Sequence, residues 1–116
     1  MTIHNDVEKF IAIRPVLYRF LKELRLRRKI SPLGSSGYDV EIVLSKISDG
    51  EVENMKVRCA NASNIKIGDI ESMFGMLLEI DDISGHQLEG VSYRISEQEN
   101  NTFSFDCSDF HVDLLS

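Results

Sequence analysis

The sequence predicts an α+β domain in which an N-terminal helix or helix pair packs on a mainly antiparallel sheet of about five strands. Three observations carry that expectation. Apolar residues before position 25 recur at helical spacing, the apolar period falls to two from Tyr38 onward, and the later apolar runs follow one another across short polar turns. Sequential strands joined by short turns favour antiparallel pairing, and a sheet with one apolar face needs a second layer to cover it.

The helical part comes first. Val7, Phe10, Ile11, Leu17, Phe20, Leu21 and Leu24 recur at helical spacing, Asn5 or Thr2 is placed to cap the start, and Pro15 either opens a second helix after a break near Ile13, the favoured reading, or kinks a continuous one. Ser31 to Gly37 is dense in turn formers and is expected to be an exposed loop. Tyr38, Val40, Ile42 and Leu44 then alternate with Asp39, Glu41 and the exceptional Val43, and Met55, Val57 and Cys59 alternate with Lys56 and Arg58. Between the two runs, Asp49-Gly50 supplies the positive φ that a hairpin turn requires. Ile67, Ile70, Met73 and Phe74, with Asp69 in front and Gly75 behind, predict a short helix or a helical turn between Ile65 and Gly75.

Three further strands are expected: Met76 to Asp81, Gly90 to Ser96, and a final run from Thr102, with Glu97 to Asn101 as the polar turn between the last two. In the final run Phe103, Phe105 and Cys107 share one parity while Phe110, Val112 and Leu114 share the other. Both sets reach the core only if the strand bulges or turns near Ser108-Asp109.

These elements make one domain, as 116 residues allow: a basic helical part at 1–30, a loop at 31–37 and an acidic β-rich part at 38–116. The net charge of −6 hides that asymmetry. Residues 1–30 carry eight basic groups against three acids, and the remainder carries five against sixteen. An acidic surface repels phosphate backbones and attracts basic proteins. Neither a secretory signal nor an apolar run of membrane-spanning length is present, so the chain is expected to be cytoplasmic. Cys59 and Cys107 are too few for a disulfide framework and are expected to be free core thiols.

Candidate chemistry is sparse. Cys107, Asp109 and His111 are the nearest approach to a nucleophile with a base, but parity turns Cys107 inward and the other two outward. His4, His86 and His111 are scattered, and with only Cys59 and Cys107 to add sulfur they predict no zinc site. No Gly-rich phosphate loop or calcium-loop spacing occurs, so no catalytic residue, metal or cofactor is expected. Arg25, Arg27, Arg28 and Lys29 are expected to complement the negative end of a helix, with a nucleic-acid contact through them as the alternative. Glu51, Glu53, Asp81, Asp82, Glu97, Glu99, Asp106, Asp109 and Asp113 either keep the surface soluble and protect sheet edges or form a docking face for a cationic protein, the functional expectation.

The stretch from Leu77 to Ile83, the following Gln87 to Tyr93, and Phe103 to Phe110 resemble small bacterial immunity proteins encoded beside polymorphic toxins, including those of contact-dependent growth inhibition. That resemblance implies a non-enzymatic antitoxin that binds a cognate toxin domain and blocks its active site or substrate surface. It carries over no binding residue by motif. With the acidic surface, it predicts neutralisation of a basic, nuclease-type toxin. Two other classes stay open at this point: a nucleic-acid-binding or regulatory module acting through the basic segment, and a small enzyme or enzyme subunit.

Overall fold

The computed structural model describes residues 2–69, 75–86, 90–99 and 101–115. Its elements run β1 (Thr2–His4), α1 (Val7–Ala12), a 3-10 turn at Pro15–Leu17, β2 (Phe20–Ser31), β3 (Gly34–Ser48), β4 (Glu51–Ile67), β5 (Leu78–Asp82), a second 3-10 turn at Ser84–His86, β6 (Tyr93–Glu97), β7 (Phe103–Cys107) and β8 (Asp109–Leu115). The result is a mostly β fold, a curled antiparallel sheet with one short α-helix among the described residues. The expected helix pair on five strands is corrected accordingly.

The largest correction falls on residues 20–31, which form a strand rather than a helix. The cause is a β-bulge between Leu21 and Glu23. Leu21 stands opposite Leu44 and Leu24 opposite Ile42, so the extra residue lets two leucines three apart in sequence face the same core. That spacing is the i, i+3 signature of a helix. The expected loop from Ser31 to Gly37 is a two-residue turn at Pro32-Leu33, closed by the Ser31–Gly34 pair.

At the start of the chain the break near Ile13 holds. α1 ends at Ala12, Arg14 takes a left-handed φ of 57°, and Pro15 begins a single 3-10 turn. The cap is neither Asn5 nor Thr2 but Asp6, whose carboxylate accepts from the Lys9 amide at 3.0 Å. A helix of six residues has little stability of its own. Phe10, buried to 1%, fixes it to the core.

The β3–β4 hairpin follows expectation. Asp49 and Gly50 both adopt positive φ, at 52° and 79°, and Val40, Ile42, Leu44, Met55, Val57 and Cys59 are buried on one face. β4 runs on to Ile67, so the expected helix from Ile65 begins as strand; its part at 70–74 lies outside the described residues.

β4 organises the molecule. Asn54 to Ala60 pair with β8, while Ser63 to Ile67 pair with β7, so one strand spans both halves of the curled sheet. The sheet bends between these halves. Asn61 and Asn64 take positive φ there, a conformation Asn tolerates better than most residues, and Asn61 Nδ2 donates to Ser108 Oγ at 2.9 Å. Ser108 is also the break separating β7 from β8, and its amide donates to the Ala60 carbonyl. The expected phase slip is therefore real. Phe103, Phe105, Cys107, Phe110 and Val112 are all buried, in a cluster joined by Ile3, Leu78, Ile80 and Ile95. Each such side chain contributes about 1.5–3 kcal/mol by leaving water. No described helix is long and apolar enough to cross a membrane.

Candidate functional site

The nine acids expected to share a face do not play one role. Glu97 is 1% exposed: its carboxylate accepts from Thr102 Oγ1 at 2.6 Å and from the Glu99 amide, so it holds the β6–β7 turn together. Asp106 is also buried, bound by Arg94 Nε at 2.9 Å. Glu53 pairs with Lys46 at 3.1 Å beside the Asp49-Gly50 turn, and Asp113 pairs with Arg58 at 3.1 Å and accepts from Thr2 Oγ1. Glu51 and Glu99 are exposed at turns. Parity alone could not separate these cases, because it does not register which cations cross-strand pairing brings alongside.

The ion pairs among the described residues concentrate on the solvent face of β2, β3, β4 and β8. Arg25 meets Glu23 at 2.8 Å and Glu41 at 3.5 Å, Lys56 meets Glu41, and Lys29 meets Asp39. Arg28 lies over the Tyr38 ring at 5.0 Å and donates to its hydroxyl. The basic stretch is thus an edge strand laid against acids of β3, and the helix-end role expected for it is corrected.

A second group of acids, Asp6, Glu79, Asp81, Asp82 and Asp109, takes part in none of the described ion pairs. Asp6, Asp82 and Asp109 all act on the Tyr93 phenol, whose ionisation is pushed up by burial first and then by these carboxylates. Asp109 is held below the usual carboxylate range by Asn5 Nδ2 at 2.9 Å and by the Ser108 hydroxyl, and Asp82 by the hydroxyl and amide of Ser84. Glu79 and Asp81, two apart on β5, share one face. Burial and the neighbouring Asp81 raise the Glu79 carboxyl above its ordinary value. Of these five, Asp6 and Glu79 were missed in the sequence reading; the Glu-x-Asp spacing on a strand is the signal that places Glu79 beside Asp81.

Beside this group runs a groove of about 340 Å³ between α1 and β5, lined by Val7, Ile11, Pro15, Leu77 and Ile80 and edged by Glu79, Asp81 and Asp82. Ile11, Val16 and Leu17 nearby are exposed to 63%, 44% and 42%.

The reactive residue types lie apart. Cys107 is buried against Cys59, whose thiol is pushed up by burial and by that neighbour. His111 is half-buried on the opposite face. There it stacks on His4 with ring centroids 4.1 Å apart, because β1 pairs with β8 and sets His4 opposite His111. The two histidines expected to be scattered are therefore neighbours. Among the described residues no three His, Cys, Asp or Glu side chains are placed to hold a metal.

The described residues thus form a small curled β domain that carries acids outside its ion pairs and an apolar groove at its surface. No curated protein and no solved structure matches the chain. The model of the family Immunity protein PIM8 matches residues 2–113, and the chain belongs to that family of immunity proteins.

Proposed function

We propose that this immunity protein neutralises a cognate toxin domain with a cationic, nuclease-type surface, and that it does so by placing carboxylates where the toxin's substrate phosphates would sit. Family membership supports the immunity role. The single observation supporting the mechanism is the separation of the acids into two populations. Most on the β2–β3–β4–β8 face meet Lys or Arg of the same chain, whereas Asp6, Glu79, Asp81, Asp82 and Asp109 do not. Carboxylates without an internal counterion lose least when a foreign cation approaches, and they steer its approach through their field.

The test is to mix the purified chain with the toxin domain encoded beside its gene. The expected outcome is a 1:1 complex whose association slows as salt rises, and which abolishes the toxin's nuclease activity. Absence of a complex, or a complex formed equally fast at low and high salt, overturns the proposal.

A further inference from the structure

We infer that the groove between α1 and β5 is the anchor point of that interface, receiving an apolar side chain of the partner bracketed by Lys or Arg residues. The inference rests on the immunity reading above and names the partner chemistry that this surface fits.

Three features converge there. The groove walls are apolar on both sides, from Val7, Ile11 and Pro15 on one and Leu77 and Ile80 on the other. Ile11 is 63% exposed, so covering it removes apolar surface that the folded chain leaves in water. β5 is the outermost strand of its sheet, paired with β6 on one side and with α1 packed beside it.

Charge decides the occupant. Glu79 and Asp81 lie on the rim two residues apart on one face of β5 and repel each other when both are ionised, while Arg94, the residue paired with Asp81 on β6, is engaged with Asp106. Asp82 continues the acidic rim, and Asp6 and Asp109 act on Tyr93, the residue opposite Asp82. An uncharged or acidic segment would leave that repulsion in place. A segment with a central apolar residue and flanking cations relieves it and fills the groove at once, the arrangement of a buried anchor within a charged rim. The β2–β3 hairpin also exposes apolar residues, Ile30 and Leu33, but its flanking cations already meet acids of β3.

The experiment compares four full-length variants with the parent, using the toxin domain encoded beside this chain's gene as the probe. Ile11→Lys fills and charges the groove, Glu79→Lys and Asp81→Lys reverse the rim, and Leu33→Lys, at a side chain 99% exposed on the distant turn, is the control. Circular dichroism and melting establish that each variant folds. The first three are expected to weaken binding by about tenfold or more each, with Leu33→Lys equal to the parent. Hydrogen exchange of the parent complex is expected to slow at the amides of Val7–Ala12 and Leu78–Asp82. Tight binding by folded Ile11→Lys and Asp81→Lys, with protection elsewhere, overturns the groove while leaving the immunity reading intact. Failure of the parent itself to bind overturns both.

Discussion

Glu97 offers the sharpest test of the division between acids that build the fold and acids free to meet a partner. Sequence placed it in the docking set, and the structure places it in the core of the β6–β7 turn. Replacing it by alanine removes the acceptor for the Thr102 hydroxyl, at 2.6 Å, and for the Glu99 amide. Leaving a buried hydrogen-bond partner unsatisfied costs about 1–3 kcal/mol, so the loss of both bonds costs about 2–4 kcal/mol. For a domain of this size that corresponds to a fall of roughly 10 °C in Tm. Glu97→Gln keeps an oxygen facing Thr102 and is expected to recover about half of the loss. Thermal melting by circular dichroism reads stability, and association kinetics with the toxin domain read binding. Both variants are expected to associate at the parent rate once folded. A Glu97→Ala protein that melts within about 2 °C of the parent and associates more slowly would refute the reasoning.

Phe110 is fully buried and packs edge-on against Tyr93 at 4.8 Å, so Phe110→Ala is expected to cost about 3–5 kcal/mol in urea unfolding, more than any surface substitution on β8. His111, held below its ordinary 6.5 by burial, His4 and Arg58 against the opposing Asp113 and Asp109, stays neutral in the fold while the unfolded chain protonates. Stability is therefore full above about pH 7 and falls as pH drops through about 6.5 toward the lower folded value, a slope that His111→Gln should remove from the urea midpoints. Cys59 and Cys107 should resist a thiol reagent in the native protein and react together in denaturant; prompt native reaction of either would place it outside the core.

What could be read from the chain was the part whose period is undisturbed. Tyr38 to Cys59 alternate cleanly around Asp49-Gly50, and the parity change at Ser108 pointed to a break that the fold contains. The misreading of 20–31 has a specific cause: the bulge at Lys22 gives a strand the spacing of a helix, and an edge strand rich in Lys and Arg lacks the β-branched signal. Charge was legible as composition but not as pairing. Whether Asp106 or Asp81 is neutralised depends on Arg94 lying between them across three strands, a register that no local pattern encodes.

The zipper between Thr2–His4 and Asp109–Leu115 has a consequence for synthesis. Ile3 finds its cover, and Asn5 its Phe110 amide, only after residues separated by more than 100 positions have emerged and ordered. Contacts of such long range form slowly and late. A chain stopped before β8 therefore leaves the Thr2–His4 strand without its pairing partner and Asn5 without the Phe110 amide.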